Sequence, residues 1–420
     1  MKKNLTNNIY PSYYLILFIL YISLIVGFAF NENSTGGAYI DYLGQKQISI
    51  SFANSFLETL LNFEQEQTRH SPILIMFFSF FEKIKLDDLF IRLINLHLCL
   101  FLPIIFYKCL KLKFYDIKDK YLILFSGLLF LSPTFRSLAI WPDSRIWGLT
   151  FFVISIYYFL NYKNNKDFKN CLLTVLFYSI GSYISPNFSV FSVFFLLYFL
   201  RELSLIKNLQ IITLNLLLAL PAIYYIFVLD VNFMFSASAV PGGEENTLLA
   251  LNISNKILII SSLILFYLLP FIFSKSINLN LSVEKAHLKY IFTIFLAFIV
   301  FIFFFNYQND YTGGGIFFKI SNFLFKNNIL FFFISGISIF IIYKIFFNSK
   351  INFLIIFLLL LNNPQLTIYH KYYDPFLLIL FLTLFEINFI KQKLFSKKTI
   401  NIFYLFSLFF LTLSISKAYV

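Results

Sequence analysis

Asp41 is the side chain with the most chemistry to offer. It lies in a polar, glycine-bearing stretch, residues 31–45, directly after the first strongly apolar run. A carboxylate held at a membrane surface can take a proton from a hydroxyl beside a lipid-linked head group. Asp143 is the second candidate. The run Trp141-Pro142-Asp143-Ser144-Arg145 parts two apolar segments, which places Asp143 at an interface beside Arg136 and Arg145. Arg136, Arg145, His370 and Lys371 are cations suited to an anionic phosphate. Arg92 falls inside an apolar span, where a charge is costly and usually paired; Asp87 and Asp88 are near in sequence. His70, in Arg69-His70-Ser71-Pro72, and Tyr372, in Tyr369-His370-Lys371-Tyr372-Tyr373-Asp374-Pro375, are candidates to meet an acceptor or a sugar. The same tyrosines also suit an interfacial aromatic belt.

The elements that must position these groups are apolar helices. Of the 420 residues 59% are hydrophobic and only 13% charged, against about a quarter charged in soluble domains. With a mean hydropathy of +0.79, the chain reads as one polytopic membrane domain over 1–420, all-α, and not as an anchored soluble enzyme. The net charge of +13 does not point to nucleic acid, because the cations cluster in short loops between apolar runs. Cys99, Cys109 and Cys171 have neither metal-ligand spacing nor the pattern of a disulfide framework. Lys2-Lys3 ahead of the first apolar run, with no small-residue cleavage site after it, reads as an uncleaved first span.

Apolar runs predict spans near 12–30, 86–107, 121–140, 146–162, 171–186, 188–200, 209–229, 256–274, 288–306, 328–347, 351–363, 372–390 and 399–416, a bundle of about 13 crossings. Charge bias puts the N-terminus in the cytoplasm and the C-terminus outside: loops assigned inside hold most of the 33 cations, and most of the 20 acids lie opposite. The long first outer loop, 31–85, carries two juxtamembrane elements. One is an amphipathic stretch with Phe56, Leu57, Leu60, Leu61 and Phe63 at helical spacing. The other is the apolar run 71–83, too short to span and expected to lie at the outer interface. Residues 86–416 supply the remaining spans. Ser185-Pro186-Asn187 is expected as a tight outer turn, and residues 241–245 as a flexible outer loop.

The order of these motifs resembles the GT-C superfamily of integral membrane glycosyltransferases, which includes the protein O-mannosyltransferases and the lipid A aminoarabinose transferases. Such enzymes have an acidic residue in the first outer loop, juxtamembrane helices, a His/Pro-Pro-apolar element and an Arg opening the next span. Here those places hold Asp41, the 54–83 helices, His70-Ser71-Pro72 and Arg92. The likeness covers residues 1–200; the tail is matched only by its basic, tyrosine-rich outer loop. Tyr42 stands where the family often has Glu after the Asp, and Ser71-Pro72 replaces a double proline. No large soluble C-terminal domain follows, which argues against the oligosaccharyltransferase branch. The resemblance implies a polyprenyl-phosphate-linked sugar donor and a lipid, glycan or protein acceptor approaching from outside.

Asp41 would then be the general base, with Asp143 as second catalytic carboxylate. No cofactor is expected. Neither histidine loop has metal-ligand spacing, which leaves open only a metal site assembled across loops. A bacterial inner membrane is the expected location, with membrane lipids as partners and no nucleic acid. The rival classes are a transporter or a flippase or polymerase of lipid-linked oligosaccharide. A transporter should show an internal repeat or acids near mid-membrane. A polymerase usually has a large late outer loop, whereas here the long outer loop comes first.

Overall fold

Backbone in a lipid slab must satisfy its own hydrogen bonds, and a helix does this within one segment. The computed structural model describes residues 13–418 apart from 67, 69, 230–251, 280–287, 309–312, 348, 364 and 366. Among the described residues it is all-helical, with one isolated bridge between Ile277 and Phe389. The 241–245 loop, Arg69 and Pro364 lie outside the described residues.

The first apolar helix, α1 (Tyr13–Ala29), is followed within residues 31–85 by α2 (Ala38–Asn54), α3 (Phe56–Leu61) and α4 (Pro72–Lys83). Then α5 (Asp88–Cys99) runs through Leu100 into α6 (Phe101–Lys113), and α7 (Asp119–Gly127) leads towards α8 (Pro133–Ile140). Next come α9 (Ser144–Asn165), α10 (Phe168–Ile184), α11 (Ser192–Glu202), α12 (Leu205–Phe227) and α13 (Ile253–Phe273). The rest are α14 (Leu288–Phe303), α15 (Gly315–Phe325), α16 (Ile329–Phe346), α17 (Lys350–Leu361), α18 (Phe376–Leu382), α19 (Lys391–Leu394) and α20 (Lys397–Ala418).

Five helices are long and apolar enough to cross a bilayer: 88–113, α12, α13, α16 and Lys397–Ser416 of α20. Residues 119–131 and α8 make a sixth if their 66° bend is one broken span. The bend has a local cause. Ser132 caps α8 by accepting from Phe135 N, and Pro133 at its first turn brings no N–H of its own. Several long apolar helices suit an integral membrane protein. Others are short for a crossing: α14 has 16 residues and α17 has 12. The run 372–390 holds only the seven-residue α18, followed by irregular backbone. Its first part, residues 383–385, is buried in protein, and Lys113 Nζ donates to Thr383 O at 2.7 Å and Phe385 O at 2.8 Å.

Burial separates core from periphery. All of α18 and most of α13 are enclosed. By contrast α12 buries only Ile211 and α14 buries nothing, although both are strongly apolar. Uncovered apolar faces of this kind are suited to contact with lipid rather than water.

Close packing of α9 on α10 sets one wall of the site. A Cβ on Gly148 would fall 2.5 Å from the Ser185 Cβ, and one on Gly181 would fall 3.0 Å from Gly148 O. Small residues let the two backbones approach. Gly148→Leu is therefore expected to push Ser185-Pro186-Asn187 outward and to lower the thermal midpoint in detergent. A variant that melts with the wild type and keeps its ligand affinity would show that the contact is dispensable.

Candidate active site

The stretch after α1 is pinned before it reaches Asp41. Ser34 Oγ donates to Pro133 O at 2.9 Å, Thr35 N donates to Ser137 Oγ at 3.0 Å, and Asn33 Oδ1 accepts from Ala38 N at the start of α2. Gly36, with φ +77°, makes the turn that L residues disfavour. α2 then buries Ala38, Tyr42, Gln45, Ile48, Ser49 and Phe52, a helical stripe that packs against α4. Tyr39 and Tyr42 lie on Trp141, with ring centroids at 4.7 and 5.9 Å, and Trp141 Nε1 donates to Glu32 O. Asp41 is thus fixed on a helix whose opposite side is clamped.

Three further segments converge on it. Asp143 accepts from Arg145 N at 2.7 Å and so caps α9. Its two oxygens also accept from Arg145 Nε at 2.9 Å and Nη2 at 2.7 Å. This two-pronged pair locks the guanidinium. Arg145 Nη2 reaches on to Asp41 Oδ2 at 2.6 Å, and Lys371 Nζ donates to the same oxygen at 2.9 Å. The Tyr372 ring lies 5.2 Å from the Arg145 guanidinium carbon, and Tyr372 OH donates to Gln365 Oε1. His70 Nδ1 is 3.5 Å from Ser144 Oγ. Ser71 caps α4 and donates to Tyr183 O, tying this turn to α10.

Together these segments line a cavity of about 550 Å³, with Asp41, His70, Arg145, Lys371 and Tyr372 on its walls beside Ser185, Asn187, Gln365 and Thr367. A water-sized cavity of about 20 Å³ shares Arg145, Lys371 and Tyr372 with it. Arg145 Nη1 is buried with no hydrogen-bond partner among the described residues.

Electrostatics follow from this crowding. Burial pushes the Asp41 carboxyl up, but Arg145 and Lys371 outweigh it and hold the group below its ordinary range. Asp143 is wholly buried, yet Arg145 holds it far lower still. Burial lowers the Lys371 ammonium, as does Arg145 beside it, and Asp41 opposes them. Burial also lowers His70, which is therefore neutral at pH 7. Both carboxylates have native pKa values below the ordinary 3.8. Their contribution to stability is present above that value and lost as pH falls through it. Acid titration of the melting temperature is expected to show a loss below pH 3.8 that is smaller in Asp143→Asn; an identical acid limb in both would contradict the pairing.

The structure brings Asp41, Asp143, Arg145, Lys371, His70 and Tyr372 together, with Asp143 beneath Arg145 rather than on the cavity wall. It does not bring Arg136, Arg92 or His370 to the cavity. Arg136 is spent on Glu32, Nε to Oε1 at 2.8 Å and Nη2 to Oε2 at 2.5 Å, with Ser23 O also accepting. Arg92 lies over Trp141 at 3.6 Å and donates to Asn31 Oδ1 and Ile140 O. Asp88 bonds Tyr42 and Lys46 instead of Arg92, and Asp87 caps α5. His370 shares a hydrogen bond with Tyr267 OH at 2.9 Å and stacks on Phe410; burial, with Lys319 nearby, pushes it down to about 3.

Asp374, three residues after Lys371, anchors the segment that carries it. Its Oδ2 accepts from Ser132 Oγ at 2.7 Å and Thr134 N at 3.0 Å, which anchors the segment to α8. Among the described residues no three His, Cys, Asp or Glu side chains gather closely enough to hold a metal ion. No protein-family profile, curated protein or solved structure matches this chain.

Proposed function

We propose that this protein is an integral membrane glycosyltransferase of GT-C type. It moves a sugar from a polyprenyl-phosphate-linked donor to a lipid, glycan or protein acceptor at the extracytoplasmic face. The observation that carries this reading is the convergence of one carboxylate, Asp41, with two cations, Arg145 and Lys371, on the wall of one cavity. The reading includes the finer topology, about 13 crossings with N-terminus inside and C-terminus outside in a bacterial inner membrane. Helices shorter than a full crossing would then serve as tilted or partial spans.

The chemistry is a single displacement. Asp41 takes the proton from the acceptor hydroxyl as that oxygen bonds to the anomeric carbon. The bond from carbon to phosphate oxygen breaks, and its electron pair leaves with the lipid phosphate. Arg145 and Lys371 stabilise that charge, as fixed cations do for developing anions elsewhere. Asp143 takes no proton; it holds Arg145 in place.

The test is a panel of polyprenyl-phosphate pentoses and hexoses offered to the full chain in proteoliposomes, read by release of polyprenyl phosphate. Release from at least one donor is expected. Flux of lipid-linked sugar across the vesicle without release would instead establish a transporter.

A further inference from the structure

Asp41 carries a conflict. A general base must want a proton, yet this carboxylate has two cations on one oxygen, at 2.6 and 2.9 Å. An ion pair of that kind keeps a carboxylate charged and makes it a poor proton acceptor.

The two cations are not held alike. Arg145 is locked by both oxygens of Asp143, through its side chain and its own backbone N–H. Lys371 has Asp41 as its one hydrogen-bond acceptor among the described residues, and its ammonium lies 5.0 Å from the Tyr369 ring. Its stem is flexible, whereas the Arg145 fork is rigid. Beside them sits Arg145 Nη1, buried and unpartnered. An anion entering the cavity finds one fixed donor waiting and one ammonium that can turn to meet it.

We propose that the donor's phosphate switches on the base. It docks on Arg145 Nη1 and draws Lys371 off Asp41, so the carboxylate becomes a competent proton acceptor only when the sugar to be transferred is in place. This rests on the glycosyltransferase reading and adds to it an order of events. Phosphate replaces Asp41 as the partner of Lys371. Asp41 then takes the acceptor's proton while the carbon–oxygen bond to phosphate breaks. When the lipid phosphate leaves, Lys371 returns, and the proton on Asp41 goes to water. An empty site is thereby kept from acting on stray hydroxyls.

The other charges around Asp41 do not supply the switch. From the start of α9 it faces Asp143 and Arg145, which are bound to each other. From the turn before α4 it faces His70, which burial keeps neutral. Glu66 lines the cavity from the turn after α3. Along α2 and α4, Lys46 is held by Asp88 with Glu82 close by. Tyr372 donates its hydroxyl to Gln365. Among the described residues, Lys371 is the one charge in direct contact with Asp41 that is free to change partners.

The experiment uses the full chain in lipid nanodiscs with aspartate labelled in its carboxyl carbon. Infrared difference spectra against Asp41→Asn isolate the Asp41 band, which is followed through a pH titration with and without undecaprenyl phosphate. The lipid is expected to raise the pH of protonation by about one unit or more, a tenfold gain in proton affinity. Lys371→Met and Lys371→Gln should show the raised value without lipid, and His70→Gln should keep the lipid-induced shift. Lipid that binds, by tryptophan fluorescence, without moving the Asp41 band overturns the switch and leaves the glycosyltransferase reading standing. So does a Lys371 variant whose band stays at the wild-type position. A protein that binds no undecaprenyl phosphate at all defeats both.

Discussion

Asp41→Asn should lower turnover of a polyprenyl-phosphate-linked sugar by about 10²–10⁴-fold, the usual worth of a positioned proton acceptor. The amide has the shape of the carboxylate and can still accept from Arg145 and Lys371, so α2 and the cavity should persist. It cannot hold the acceptor's proton. The neutral residue also leaves two cations less compensated, so donor affinity should hold or improve. A fall in kcat with KM unchanged or lower is the expected signature, since a group acting only in the transition state is lost. Turnover that survives removes Asp41 from the chemistry. His70, neutral on the same cavity wall, would then be the base to examine, through His70→Gln.

Glu32→Gln should cost about 3–5 kcal/mol of stability, the usual result of stripping a buried ion of its partner. Glu32 and Arg136 side chains are only 7% and 5% exposed. Among the described residues, Glu32 is the only carboxylate that Arg136 bonds. The loss should appear as a lower thermal midpoint in detergent, with KM for the donor unchanged in the fraction that stays folded, because neither residue lines the cavity. Replacing both by methionine should recover much of the loss, since an apolar pair of similar volume often equals a buried ion pair. A donor KM that rises tenfold in Glu32→Gln would instead return Arg136 to the phosphate site.

The sequence is most informative where polarity interrupts apolar runs. Asp41, His70, Asp143, Arg145, Lys371 and Tyr372 all stand out in this way, and Ser185-Pro186-Asn187 carried the same signal as an outer turn. That these residues gather around one cavity, with Asp143 beneath Arg145, is not legible, because it depends on how α2, α4, α9 and the segment before α18 pack. Arg136 shows the limit from the other side. Its partner Glu32 is 104 positions away in the chain, so a basic residue at a span end looked free when it was spent. His370 sits next to Lys371, but Tyr267 and Phe410 from distant helices enclose it. Arg92 found an aromatic face, Trp141, where charge spacing suggested Asp87 or Asp88. Hydropathy marks apolar runs without telling lipid contact from burial in protein. α18 is therefore apolar and central yet only seven residues long, and the expected 372–390 span has no single helix behind it.

The contact between Asp41 and Lys371 joins residues 330 positions apart. The cationic half of the pair is anchored late: Ile368 O accepts from Gly314 N, Ile368 N donates to Tyr307 OH, and Asp374 closes onto Ser132 and Thr134. During synthesis Asp41 leaves the ribosome early and waits for a partner that arrives only after most of the polypeptide has been made. A nonsense mutation anywhere between codons 42 and 371 therefore leaves the carboxylate without the lysine that restrains it.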